Sequence, residues 1–134
     1  MKKTAIILLI TILISCNQSP NKPKGIIITS PEIAELAAFI APENTIAVTE
    51  ECSYPPVLNS LPKVGKFGEI NLEEVVKLNP ETVITSGMEQ EIVTEKLKKL
   101  GIKTIPMYIT SMTSMPDRTN ELALILNKPE KGKV

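Results

Sequence analysis

From residue 25 onward, short β-branched runs alternate with segments of helical periodicity, and this alternation constrains the fold more than any other feature of the chain. "GIIITS", residues 25–30, is a strand closed by Ser30, a helix-capping residue. Pro31 follows at a first helical position, where its missing N–H costs nothing. Ile33, Leu36, Ala37 and Ile40 then recur at i, i+3, i+4 and i+7, one apolar stripe of a helix that must stop before Pro42. Residues 46–48 form a second strand. Asn71, with Glu74 three residues on, opens a helix whose buried face is Leu72, Val75 and Val76, and Asn79-Pro80 stops it. Residues 82–85 are a third strand. Residues 89–100 are a helix with Val93, Leu97 and Leu100 on one side and Gly101 as its cap. Residues 102–105 are the fourth strand, and "SMPD", 114–117, opens a last helix buried through Leu122, Ile125 and Leu126. Strands this apolar, joined by helices, predict an α/β fold: a four-stranded parallel sheet covered on both faces, with right-handed crossovers and no internal repeat.

A chain of 134 residues has room for one compact domain with its own core. Its 15 basic and 15 acidic side chains cancel, and no stretch gathers Lys or Arg with interleaved aromatics, so nucleic acid is not an expected partner. The sequence contains no histidine, which removes Ser-His-Asp and Cys-His catalysis and every metal site that needs imidazole. No nucleophile paired with a base stands out, so no enzyme, resident metal or cofactor is expected.

In parallel sheets of this kind, ligands bind outside the carboxyl ends of the strands, where loops converge and helix N-termini point. The candidate loops are Ser30-Pro31, the segment from Thr49 onward, Ser86-Gly87-Met88 and Met107-Tyr108-Ile109. The second is about twenty residues long, far beyond the usual connection, and structured loops of that length tend to be functional. Within it "CSYPPVLNSLPKVGKFG", residues 52–68, holds two of the four aromatics and three of the eleven prolines of the whole chain. Prolines lower the entropy lost when a loop closes on a ligand, while Tyr54 and Phe67 offer flat apolar area at small rotamer cost.

The N-terminus is a separate object. Lys2 and Lys3 precede an apolar run of ten residues, 5–14, about half of what a membrane-spanning helix requires, which makes residues 1–15 a signal peptide. Its end, "LISC", resembles the bacterial lipoprotein signal, which implies that Cys16 becomes the lipidated first residue of the mature chain and that the protein sits in the cell envelope, anchored to a membrane and facing the periplasm or the outside. Residues 16–24, rich in polar residues and proline, form an extended tether. Cys52 is then left without a disulfide partner and is expected to be a small buried hydrophobe.

"TSPEIAEL", "VTEECSYPP", "LPKVGKFGEINLEEVVKLNPETVITSG" and "LKKLGIKTIPM", in that order and spacing, resemble the N-terminal lobe of the periplasmic binding proteins that serve vitamin B12, haem and iron-siderophore ABC importers. The resemblance covers residues 25–128 and implies a Rossmann-like lobe, one of two joined by a long helix with ligand held between them. Residues 129–134, "PEKGKV", would begin that helix, so the sequence has the extent of a fragment or truncated product of a two-lobe receptor. If contacts divide evenly between lobes, a nanomolar receptor leaves one lobe an affinity of roughly tens of micromolar. The resemblance places Phe67 where the vitamin B12 receptors carry a large aromatic against the corrin. Phe67 could equally anchor its loop on the core, and Tyr54 with Pro55-Pro56 could shape the loop or touch ligand. Glu51 stands where those receptors often show tyrosine, and Ser53 where aspartate is common. Glu50 and Glu51 would disfavour an anionic ferric siderophore unless cations screen them. The implied ligand-binding set is Glu50, Glu51, Ser53, Tyr54, Phe67, Ser86 and Gly87, for a corrinoid, haem or ferric siderophore. Glu73 aligns with a glutamate that docks on the ABC permease, or it is a first-turn carboxylate favouring the helix dipole. A lone lobe acting as an interaction lipoprotein is the alternative of a different class.

Overall fold

The computed structural model describes residues 25–133, so the signal peptide, Cys16 and the tether lie outside the described residues. Four parallel strands, β1 (Ile26–Ile28), β2 (Thr45–Val48), β5 (Thr82–Thr85) and β6 (Thr104–Pro106), form one sheet in the order β2-β1-β5-β6. A two-stranded antiparallel ribbon, β3 (Gly65–Lys66) with β4 (Glu69–Ile70), stands apart from it. The helices are α1 (Pro31–Ile40), α2 (Leu72–Leu78), α3 (Glu91–Lys99) and α4 (Met115–Ile125).

Both faces of the sheet are covered, as parallel strands require. Ile26 and Ile28 project into one layer with Ile33, Ala34, Ala37 and Ile40 of α1 and Leu122, Ala123 and Leu126 at α4. Ile27, between them in sequence, projects into the other with Val75 of α2, Val83 and Leu97 of α3. The side-chain period of two thus turns one run of three isoleucines into the floor of two cores. Each such side chain contributes about 1.5–3 kcal/mol when fully removed from water.

Helix termini explain where the observed elements depart from the expected ones. Asn71 accepts from the backbone N–H groups of Glu73 and Glu74 at 3.1 and 3.2 Å, the cap its position predicts. Gly101, at φ +76°, donates to Lys98 O at 2.9 Å, and Ile102 N–H donates to Leu97 O at 3.0 Å. This Schellman closure consumes Ile102, so the fourth strand begins at Thr104 rather than at residue 102. Asn127, at φ 56°, closes α4 in the same way, with Lys128 N–H donating to Ala123 O at 2.8 Å. At the start of α4 the reciprocal capping box belongs to Ser111 and Ser114 around a 3-10 turn, Met112–Ser114, and Ser114 makes no side-chain cap for the helix itself. Residues 88–90 likewise form a 3-10 turn ahead of α3.

Val76 and Leu100 are not buried as the sequence pattern suggested. They are 49% and 53% exposed, because adjacent helical residues stand about 100° apart, so Val76 turns outward when Val75 turns in, and Leu100 lies beyond the last residue of α3. The two share a shallow apolar groove with Leu72, Glu73 and Lys77 on the outside of the α2 and α3 layer. After α4, Pro129–Lys131 makes a single 3-10 turn, Gly132 packs on Ala123, and Lys131 Nζ donates to Ile40 O at 2.7 Å.

Candidate functional site

The chain leaves β1 toward β2 on one side and later returns to place β5 on the other, so the switch in strand order lies between the carboxyl ends of β1 and β5. Three polar residues meet there. Gln90, only 1% exposed, accepts from Ser86 N–H at 2.8 Å and lies against the Thr29 hydroxyl, which also reaches Ile84 O. On its other side Gln90 Nε2 donates to Phe67 O at 2.6 Å. The crevice at the switch point is therefore filled by a side chain of the protein. A ligand on this end of the sheet meets the loops above the crevice, not the crevice itself.

Those loops are built from buried anchors. Beyond β2, Cys52, Leu58 and Val64 are fully buried, so the long connection dips into the core three times between its exposed stretches. Leu58 sits in a 3-10 turn, Pro56–Ser60, that begins at the proline pair. Lys63 Nζ spans the inside of the loop, donating to Cys52 O at 2.9 Å and Leu58 O at 3.0 Å. Backbone bonds from Val48 N–H to Pro62 O and from Val64 N–H to Val48 O then lay residues 62–64 alongside the edge of β2. Cys52 Sγ contacts the Thr49 hydroxyl at 3.3 Å, and burial pushes the thiol above its ordinary value. It is the small buried hydrophobe its lack of a partner suggested.

The next stretch reads as irregular in sequence but is a hairpin. β3 and β4 are joined by Phe67-Gly68, which places Phe67 at the tip. Gly65 makes the entry possible: its φ is +100°, and a Cβ there would lie 2.5 Å from Glu69 O. The tip is held from two directions. Glu51 accepts from Phe67 N–H at 2.9 Å, and Gln90 takes the Phe67 carbonyl. Glu50 N–H also donates to Gly65 O at 2.9 Å. Phe67 is half-buried beside the loop after β5.

Each residue expected at the site can now be placed. Glu50, Glu51, Ser53 and Tyr54 lie on the exposed side of the loop after β2, Tyr54 being 59% exposed. The Glu51 carboxylate is already engaged by the hairpin, and Ser53 O accepts from Asn59 Nδ2 at 3.0 Å. Ser86 is buried and its hydroxyl donates to Glu89 Oε2 at 2.8 Å, so its side chain serves its own loop. Gly87 lies under an aromatic ring: a Cβ at this position would be 2.3 Å from Tyr108 Cδ1. Tyr108, in the loop after β6 and 40% exposed, thus rests on the Ser86-Gly87 backbone. Three of the chain's four aromatics, Tyr54, Phe67 and Tyr108, stand on the loops at this one end. Glu73 is exposed in the first turn of α2, on the outside of that end. Among the described residues no group of three or more His, Cys, Asp or Glu could hold a metal ion.

The profile of one family, described as periplasmic binding protein, matches residues 26–133. The chain belongs to this family. A vitamin B12-binding protein of Salmonella paratyphi A is 29% identical to this periplasmic binding protein over 133 residues, covering 98% of the chain and 48% of that relative. One of Vibrio vulnificus is 29% identical over 136 residues, again covering 98% and 48%. The chain spans about half the length of the curated relatives it matches and corresponds to the N-terminal lobe of such proteins. Among solved structures, a periplasmic vitamin B12-binding protein of Vibrio cholerae superposes with a TM-score of 0.69 at 26% identity, covering 81% of this chain and 43% of that one. A periplasmic haem-binding protein of Pseudomonas aeruginosa superposes with a TM-score of 0.73 at 19% identity, covering 83% and 41%. The relatives are binding proteins by name. No helix among the described residues is long and apolar enough to cross a membrane.

Two residues that the structure places among the candidate loops were not singled out by sequence patterns. Tyr108 fell in a named loop without being singled out, and only the pairing of an aromatic with a glycine across two loops marks it. Gln90 gave no signal at all, since a glutamine in the opening turn of a helix is usually a solvated residue.

Proposed function

We propose that this periplasmic binding protein is the substrate-binding component of an ABC importer and takes a corrinoid, haem or ferric siderophore on the carboxyl-end rim of its sheet, without making or breaking a bond. The observation that supports this reading is the placement of Tyr54, Phe67 and Tyr108 on loops that leave the carboxyl ends of β2 and β6 and are anchored by buried residues. Phe67 would pack flat on the macrocycle, with Tyr54 and Tyr108 at its flanks and the backbone at Ser86 and Gly87 beside it. Glu50, Glu51 and Ser53 would meet its polar periphery, and two acidic groups there favour a ligand with amide or cationic edges over a strongly anionic one. The names of the relatives support a corrinoid or haem.

In this reading residues 1–15 are removed, Cys16 carries the lipid, and residues 16–24 let the lobe range over the membrane surface facing the periplasm or the outside. Residues 25–128 are the binding lobe, and residues 129–134 lead toward an inter-lobe helix. Glu73, exposed beside the rim, would dock on an arginine of the permease, where a charge-assisted contact directs orientation and encounter rate.

Calorimetric titration of the chain with cyanocobalamin, haemin and a ferric siderophore tests the proposal. One of them should bind with a Kd of roughly tens of micromolar. Phe67→Ala should weaken that binding about tenfold by removing one stacked ring. Absence of binding by all three to the folded chain would exclude the reading.

A further inference from the structure

The hairpin that carries Phe67 is too small to hold itself. Two residues per strand, Gly65–Lys66 and Glu69–Ile70, make a ribbon that in isolation is marginal in water at best. Its tip must be fixed by something else, and among the bonds that reach Phe67 one comes from a fully buried side chain. Gln90 is 1% exposed, and its amide oxygen and nitrogen have different partners. Its oxygen is committed to the sheet, taking Ser86 N–H at 2.8 Å beside the Thr29 hydroxyl. Its nitrogen is committed to the hairpin, through Phe67 O at 2.6 Å. The other side-chain contact to the tip, from Glu51, comes from an exposed carboxylate, which water can replace at little cost.

We propose that Gln90 is a positioning residue: it latches the Phe67 hairpin to the carboxyl ends of β1 and β5, and so presets the platform on which ligand stacks. The latch rests on the proposed ligand reading for its purpose, but not for its existence. A latched tip binds ligand without first being ordered, so loss of the latch lowers affinity by the fraction of time the tip is out of place. It also ties the two loops nearest the ligand, that of Phe67 and that of Ser86-Gly87, into one unit.

Gln90→Glu separates the two halves of the device. Ionised, the carboxylate keeps an acceptor for Ser86 N–H and Thr29 while an oxygen faces Phe67 O and repels it; protonated, the form burial favours, it can still donate to Phe67 O. Amide hydrogen exchange at residues 66–70 of the unliganded variant, followed from pH 6 to pH 9 and corrected for intrinsic exchange, should accelerate about tenfold or more once the carboxyl ionises, while exchange in β1, β5 and α1 stays unchanged. Affinity for whichever of cyanocobalamin or haemin the wild-type chain binds should fall by a similar factor, and saturating ligand should restore protection at 66–70. A merely structural role would instead lower protection throughout the sheet, with no rescue by ligand. Unchanged exchange at 66–70, or loosened exchange with unchanged affinity, would overturn the proposal. Should the variant not fold, the wild-type chain decides. The latch requires residues 68–70 to be protected to the same degree as Ser86, whereas protection no better than that of a free two-stranded ribbon contradicts it. If the wild-type chain binds neither ligand, the ligand reading fails and the latch is judged on exchange alone.

Discussion

The two ends of the sheet solve opposite problems. At the amino end the chain must only stop a helix and enter a strand, and it does so with local devices. Asn79, Gly101 and Asn127 take positive φ values at the ends of α2, α3 and α4, each closing a helix within a few residues. The turns are short, and the long-range contacts there are single bonds, such as Asn44 Nδ2 donating to Leu126 O at 2.7 Å. At the carboxyl end the loops are long and are held by buried polar groups from distant parts of the chain: Gln90 from below the hairpin, and Lys63 from inside the loop after β2. Rigidity at the amino end comes from backbone closure. At the carboxyl end it comes from buried side chains that tie down the loops carrying Tyr54, Phe67 and Tyr108.

The sharpest way to break this contrast is Leu58→Ala. Leu58 anchors the long loop in the core, so the substitution should lower global stability by about 2–5 kcal/mol in urea unfolding. A change confined to loop exchange, with the global midpoint preserved, would mean that the loop is an appendage. Next in size, Lys63→Met leaves the carbonyls of Cys52 and Leu58 without their shared donor and should cost about 1–3 kcal/mol, seen as faster exchange across residues 49–64 with the amino-end turns unaffected. Gly101→Ala, at φ +76°, should cost about 1 kcal/mol and leave ligand affinity untouched; an equal loss of affinity would show that the two ends are coupled.

The smallest effect concerns Cys52. Because burial raises its folded pKa above the ordinary value near 9.0, folding favours the protonated thiol. That contribution is complete below the unfolded pKa and is lost as pH rises through the folded one. Urea midpoints of a Cys16→Ser chain between pH 7 and pH 10 should therefore fall at the alkaline end more than those of the same chain carrying Cys52→Ala. Parallel curves would place the thiol in water.

The same contrast decides what could be read from sequence. The helix boundaries were legible because each is written in adjacent residues: Asn79-Pro80 and Gly101 after an apolar stripe as stops, Asn71 ahead of two glutamates as a start. The alternation of Ile26, Ile27 and Ile28 between two cores follows from the strand period once a parallel sheet is inferred. Gln90 was not legible, because its partners lie 61, 4 and 23 residues away and no periodicity encodes them. Lys63 was hidden for another reason: a lysine in a polar loop gives no sign that its ammonium is turned inward onto two carbonyls. The hairpin escaped because its strands are only two residues each, below the length at which alternation can be seen. Among the candidate residues, Ser86 and Glu51 turned out to have protein partners already.

The most direct test of the central claim is a hydrogen-exchange map of the chain with and without saturating cyanocobalamin or haemin. Slowed exchange should concentrate at residues 49–70, 86–90 and 107–111, with residues 42–44, 79–81 and 100–103 unchanged. Protection centred on those amino-end turns, by a ligand shown to bind, would place the site on the opposite end of the sheet and contradict the account.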